Sequence, residues 1–185
     1  MPEAVRAYIA MGGNQGGVLA AFAAALAALE QAGVRVVGAA SAYRTVAWVP
    51  PAAPAAPDYW NTVCAVETTR SPDQLLTLLL AIERRAGRER RQRWAARTLD
   101  LDLLLYDTLA LQTPRLTLPH RGLAARPFVL RPLCELAPDA MLPDGKRARE
   151  LLGALADPDA GILERRRGWL SGDGDGATAA AQPGA

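Results

Sequence analysis

At 185 residues, half of them apolar and with a formal net charge of +2, the chain is long enough to bury a proper core and too apolar to be disordered over most of its length. Its pI near 8.8 is too mild for a general nucleic-acid binder, so any cluster of cations is a local feature. The start, MPEAVRAYIAMGG, lacks the cationic region, apolar core and small-residue cleavage site of a signal peptide. Ala7 to Met11 reads as a short apolar strand, and the glycine-rich stretch Gly12 to Gly17 as the turn into a helix from Val18 to Gln31 that Gly33 stops. The apolar part of that helix is too short to span a bilayer, and no membrane partner is expected. Val34 to Tyr43 reads as one strand. Trp48 to Pro57, WVPPAAPAAP, is an extended loop, because its prolines forbid regular pairing.

Tyr59 to Thr68 returns as the second strand of that hairpin, with Val63, Ala65 and Glu67 on the face of Tyr59 and Asn61, while Trp60, Cys64 and Val66 are expected not to share one face. A second helix is better marked: Ser71 is placed to cap it, Pro72 to open it, Gln74 to close a capping box, and Gly87 to end it after the stripe Leu75, Leu76, Leu78, Leu79 and Ile82. An arginine-rich loop leads into a strand from Leu99 to Tyr106. The order is βαββαβ, which predicts an α+β fold, a ferredoxin-like sheet with both helices on one face. Beyond Pro114 come loops and short helices, one of them near Arg147 to Leu155, and residues 1–167 form the domain. From Gly168 the composition is that of a disordered tail. Cys64 and Cys134 lack C-x-x-C spacing and are expected as buried free thiols in a reducing cytoplasm.

Chemistry concentrates between Arg88 and Asp102, RERRQRWAARTLDLD. In a strand successive side chains point to opposite faces, so Asp100 and Asp102 share one side while Leu99, Leu101 and Leu103 share the other. Two carboxylates on one face repel each other unless a cation sits between them. Magnesium is commonly held by one or two carboxylates plus the phosphates of a nucleotide. Arg88, Arg90, Arg91, Arg93 and Arg97 can grip phosphate oxygens bidentately. The plainer alternative, a solvated arginine loop beside an edge-strand charge pair, explains each half singly but not their adjacency on an apolar strand.

These segments resemble one family, the 6-hydroxymethyl-7,8-dihydropterin pyrophosphokinases. The likeness runs through YIAMGGN, SAYRT, DYWN, IERRAGRERRQRWAARTLDLDLLLYD, LPH, RPFVLRPL and LPDG, in family order from Ala7 to about Gly145. The resemblance implies transfer of the β,γ-diphosphate of ATP to the hydroxymethyl oxygen of the pterin, releasing AMP. It implies that Asp100 and Asp102 hold two magnesium ions and that Arg88 and Arg97 work at the phosphates and the pterin, with Arg90 sharing the phosphate load. Trp94 matches the tryptophan of a loop that closes over the site. Tyr59 and Phe128 match a stacking pair for the pterin, Asn61 the group at its edge, and Thr45 a further pocket residue acting through its backbone. His120, the sole histidine, together with Arg115, Thr117 and Arg126, matches positions that line the nucleotide. The family pattern is broken where Gly13 replaces a serine, Ala95-Ala96 a Gly-Pro, and Arg121-Gly122 a Pro-Arg. The implied partners are small molecules and not nucleic acid, and the implied state is a monomer.

Two other readings compete. Nucleotidyltransferases also mount paired aspartates on a related sheet, but Tyr59, Asn61 and Phe128 favour a small aromatic acceptor. An RNA-binding ferredoxin-like module would need exposed aromatics on its central strands, whereas the carboxylate pair would repel RNA phosphates and aromatics are only 5% of residues.

Overall fold

The structure, a computed structural model, describes residues 3–47, 56–87 and 98–170. Its principal elements are β1 (Val5–Gly13), α1 (Val18–Gln31), β2 (Arg35–Ala39), β3 (Ala42–Thr45), β4 (Tyr59–Thr68), α2 (Pro72–Arg85), β5 (Asp100–Tyr106), β6 (Leu111–Gln112), β7 (Thr117–Leu118), α3 (Pro127–Leu136), α4 (Ala148–Gly153) and β8 (Ile162–Arg166). The sheet runs β5-β1-β4-β3-β8, with β2 also paired to β4, and its pairings are antiparallel. This is the ferredoxin-like α+β arrangement expected from the element order.

Alternation divides the sheet into two faces. Ala7, Ile9 and Met11 of β1, Cys64 and Val66 of β4, and Leu101 and Leu103 of β5 join Phe22, Leu26 and Leu29 of α1 and Leu75, Leu79 and Ile82 of α2 in one buried cluster. Trp60 packs against this same cluster, so Trp60, Cys64 and Val66 do share a face, contrary to expectation; even-numbered positions of β4 alternate cleanly with odd ones. The opposite face carries a second cluster, in which Val63, Leu104 and Leu105 meet Val129, Leu130 and Leu133 of α3 and Ala148 of α4. A register shift between Tyr8 and Ile9 opposite β5 lets Leu104 and Leu105 both enter that cluster.

The second helix is capped as its sequence demands. The Ser71 hydroxyl accepts from Gln74 N at 3.3 Å, and the Gln74 side chain accepts from Ser71 N at 2.9 Å. Gly33 and Gly87, just past the two helices, take φ of +77° and +86°, a region only glycine enters freely.

Several expectations need correction. The single strand from Val34 to Tyr43 is two strands, β2 and β3, broken at Ala40-Ser41, and the Ala40 carbonyl accepts at the break from Thr62 Oγ1 and Trp169 Nε1. Gly12 and Gly13 lie in β1 and not in the turn. Beyond Pro114 there is more than loops and short helices: α3 has 10 residues, and β8 extends the sheet by pairing with β3. The helix near residue 150 is confined to Ala148–Gly153. Trp169, read as part of the tail, sets its ring edge-on to Phe22 with centroids 5.8 Å apart. Residues 171–185 of the expected tail lie outside the described residues. Cys64 is buried and free, and burial pushes its thiol up to about 12; Cys134 is free but only half-buried. No helix among the described residues is long and apolar enough to cross a membrane.

Candidate active site

The site lies on the α3 face of the sheet, where the odd positions of β4 and the even positions of β1 and β5 point. Strand register sets one row of it: Tyr43 pairs with Asn61, Asn61 with Gly12, and Gly12 with Asp100. The next row along β1 pairs Ala10 with Val63 and with Asp102. Directly paired residues of an antiparallel sheet project to the same side, so the two aspartates and Asn61 flank a floor made of the two smallest residues, Gly12 and Ala10. Above that floor opens a cavity whose walls include Thr45, Tyr59, Asn61, Arg126 and Phe128, with Asp100 and Asp102 at one end. It unites four residues expected at the pterin, Thr45, Tyr59, Asn61 and Phe128, with both carboxylates.

Asn61 is held in one orientation, donating from Nδ2 to Thr45 Oγ1 at 2.9 Å. Thr45 is therefore engaged through its side chain, not only through the backbone expected. With that bond made, the Asn61 Oδ1 lies over Gly12, where an added Cβ would come within 3.2 Å of it. Phe128 stands in the first turn of α3 behind Pro127, which opens the helix at no hydrogen-bond cost. Pro132 has no N–H to give the Phe128 carbonyl four residues earlier, so the helix bends most easily beneath the cavity wall. The Arg126 guanidinium lies 6.0 Å from the centroid of the Phe128 ring. It lies so close to Gly122 that a Cβ there would come within 2.5 Å of Arg126 Nε, so a residue larger than glycine requires the Arg126 side chain to shift. Arg126, expected among the nucleotide residues, thus faces the aromatic cavity.

A second cavity adjoins the first, lined by Arg115, Thr117, His120 and Arg121, and Asp102 belongs to both. The His120 Nδ1 accepts from Gly122 N at 3.1 Å, so the ring proton sits on Nε2, and that atom lies 3.8 Å from Asp102 Oδ2. This is too long for a hydrogen bond but leaves an N–H donor aimed at the space beside the carboxylate. Arg115 is held against α2, with Nη1 2.9 Å from Asp73 Oδ1. The Thr117 hydroxyl accepts from Arg121 Nε at 3.2 Å. Arg115, Thr117 and His120 are therefore brought together as expected. Arg88, Arg90, Trp94 and Arg97 lie outside the described residues.

Sequence reasoning missed the floor residues Gly12 and Ala10. Paired glycines read as a turn, and only pairing with two neighbouring strands shows that the missing side chain leaves room for a ligand.

Paired carboxylates between an aromatic-lined cavity and a cation-lined one, on a ferredoxin-like sheet, define the class as a small-molecule phosphotransferase. The chain belongs to the 7,8-dihydro-6-hydroxymethylpterin-pyrophosphokinase (HPPK) family, which it matches over residues 8–138. Relatives named 2-amino-4-hydroxy-6-hydroxymethyldihydropteridine pyrophosphokinase include one from Pseudomonas aeruginosa, 44% identical over 80% of this chain and 91% of its own length. Another, from Haemophilus influenzae, is 41% identical over 83% of this chain and 94% of its own. Among solved structures, Plasmodium falciparum HPPK-DHPS with pteroate superposes with a TM-score of 0.65 at 13% identity, covering 82% of this chain and 42% of that one, and supports the fold alone. These matches favour neither the nucleotidyltransferase nor the RNA-binding alternative.

Proposed function

We propose that this enzyme transfers the β,γ-diphosphate of ATP to the hydroxymethyl group of 6-hydroxymethyl-7,8-dihydropterin, giving AMP and the pterin diphosphate, a step of tetrahydrofolate biosynthesis. The observation that carries the reading is the row Asn61, Gly12, Asp100, which sets a ring-edge reader and a phosphate-end carboxylate at opposite ends of one flat, side-chain-free floor.

The acceptor ring would lie over Gly12 between Tyr59 and Phe128, with Asn61 offering Oδ1 and its second amide N–H to the ring edge and Thr45 fixing which atom is which. That seat directs the hydroxymethyl arm toward Asp100 and Asp102. The nucleotide phosphates would occupy the adjoining cavity, where His120 donates from Nε2, and Arg115 and Arg121 supply positive charge. In the reaction the hydroxymethyl oxygen bonds to the β-phosphorus as the bond from that phosphorus to the α-phosphate oxygen breaks; the hydroxyl proton is lost and AMP leaves. The residues supply proximity and orientation, since Asp102 borders both cavities and so marks where the two substrates meet.

Two carboxylates on one face are a donor set that fits a hard dication, and no group of three or more His, Cys, Asp or Glu among the described residues could hold a metal by itself. Asp100 and Asp102 would hold magnesium, with nucleotide phosphate oxygens completing the ligand set. Magnesium held there would supply positive charge to offset the charge that develops on the phosphate oxygens during transfer. Arg88, Arg90 and Arg97 are assigned to the phosphates and Trp94 to closure over the site on family resemblance alone. The same reading makes the protein a cytoplasmic monomer acting on small molecules. The deciding experiment is an assay that separates AMP from ADP: AMP release strictly dependent on the pterin supports the function, and ADP release, or AMP release without pterin, refutes it.

A further inference from the structure

The acceptor cavity is the open end of a wedge. One side is α3, with Phe128 in its first turn; the other is the pair β3 and β4, which carry Thr45, Tyr59 and Asn61. Glu135 stands seven residues after Phe128, two helical turns further along the same face and about 10 Å down the helix axis. Ser41, Tyr43 and Thr45 follow at every second residue, so they fall on one side of the chain as it enters and forms β3. Glu135 and Thr45 thus sit at opposite ends of the wedge.

At the closed end the Glu135 carboxylate collects four donors. Oε1 accepts from Ser41 N at 3.2 Å and Ser41 Oγ at 2.7 Å, Oε2 accepts from the Tyr43 hydroxyl at 2.6 Å, and Arg165 Nη2 of β8 lies 2.9 Å from Oε1. Arg165 also donates from Nε to Ser41 Oγ at 3.2 Å and lies over the Tyr43 ring at 5.8 Å. Burial opposes ionisation of Glu135, but the bonds from Tyr43, Ser41 and Arg165 outweigh it and hold the carboxyl below the ordinary glutamate range. Only the ionised form, an acceptor at both oxygens, can take all four donors. Three elements that wall the cavity or brace its walls therefore converge on one side chain.

We propose that Glu135 is a positioning residue for acceptor recognition: by tying α3 to β3 and β8 at the closed end, its carboxylate sets the gap between Phe128 and the Thr45–Asn61 pair at the open end. The proposal rests on the reading of the Tyr59, Asn61 and Phe128 cavity as the pterin seat. It predicts an effect on one substrate only, because the nucleotide cavity is lined from α2, β5 and the segment from Thr113 to Arg121, whereas the bonds described to the Glu135 carboxylate come from Ser41, Tyr43 and Arg165.

The test is calorimetry on the full chain with two titrations, a non-hydrolysable ATP analogue alone and the pterin in the presence of saturating analogue. Glu135→Gln presents an amide N–H₂ among donors and should weaken pterin binding about tenfold or more. Tyr43→Phe, which removes one donor and keeps the carboxylate, should weaken it by about threefold. Analogue affinity should stay within about twofold, and steady-state kinetics should show a raised pterin KM with kcat largely kept. If Glu135→Gln does not fold, Tyr43→Phe decides on the same criteria. Equal losses for both ligands, or unchanged pterin affinity in a folded variant, overturn the proposal. A wild-type protein that binds analogue but no pterin refutes the underlying reading of the cavity, and the proposal falls with it.

Discussion

Gly12→Ala tests the floor of the acceptor site with the smallest possible change. Gly12 is a strand residue without a positive φ, so the backbone accepts a Cβ, and relief of the unfolded-state entropy of glycine is worth about 0.4–1 kcal/mol toward stability. The new methyl would stand 3.2 Å from Asn61 Oδ1, a few tenths of an ångström inside ordinary contact, and the amide must rotate or retreat. Either movement disturbs the 2.9 Å bond to Thr45 Oγ1 and turns Oδ1 away from the ring edge it would meet. A ring donor left unpaired in a closed site costs about 1–3 kcal/mol. At about 1.4 kcal/mol per decade, pterin affinity should fall by about 5-fold to about 140-fold. The nucleotide cavity does not include Gly12, so an ATP analogue should bind within about twofold of wild type. Paired titrations, with thermal unfolding to show an unchanged or slightly raised midpoint, measure all three quantities. Wild-type pterin affinity in a folded Gly12→Ala protein would refute the placement of the ring on this floor, and an equal loss of nucleotide would show a general distortion of the sheet.

Asp102→Asn, which alters the carboxylate shared by both cavities, should lower pterin-dependent AMP release by at least about a hundredfold without loss of stability, since one of two like charges is removed; near-normal turnover would contradict the metal assignment. Trp169→Ala removes the ring on Phe22 and the 2.8 Å bond to the Ala40 carbonyl, and urea unfolding should show a loss of about 2 kcal/mol; no change would mean that the indole contributes nothing to holding the β2–β3 break. For Glu135 the sign of the pH effect follows from a folded-state pKa below the unfolded one: its contribution is present above the ordinary glutamate pKa of about 4.3 and is lost as pH falls through the folded value. The stability difference between wild type and Glu135→Gln should therefore be largest near neutrality and shrink on acidification once pH passes below the folded value, and a difference that grew toward low pH would show the sign to be wrong.

What could be read in advance follows physical signals of different strength. The capping box at Ser71 and the alternation of Leu99, Leu101 and Leu103 against Asp100 and Asp102 are local rules, and the structure repeats them residue for residue, although β5 begins at Asp100 and not at Leu99. The break between β2 and β3 has no such signal, because Ala39, Ala40, Ser41 and Ala42 are all small and the break is stabilised from elsewhere, by Thr62 and by Trp169 some 129 residues away. For a related reason β8 was invisible. Its sequence, ILERR, reads as a solvated run, yet an edge strand is where charged side chains belong, and Arg44 of β3 reaches across to Glu164 at 2.9 Å to hold it. Trp169 reads as tail because the partners that hold it, Phe22 of α1 and the Ala40 carbonyl, are far away in sequence.

The two sides of the sheet divide the work between stability and chemistry, and alternation alone produces the division. Ala7, Ile9 and Met11, the central positions of β1 that face α1 and α2, are apolar and sealed, so that side supplies cohesion without help from the site. The other side is then free to spend small residues at Ala10 and Gly12 and to place like charges at Asp100 and Asp102, choices that would each weaken a core. The register shift at Tyr8 and Ile9 marks where the change occurs along β5: after it, Leu104 and Leu105 both turn into the core beneath α3, and before it, strict alternation keeps both aspartates on the cavity side. A one-residue slip of β5 before that point would bury both carboxylates among the leucines of the helix side. The apolar residues at 99, 101 and 103 therefore fix which side of the sheet carries the two aspartates as firmly as they fix the core.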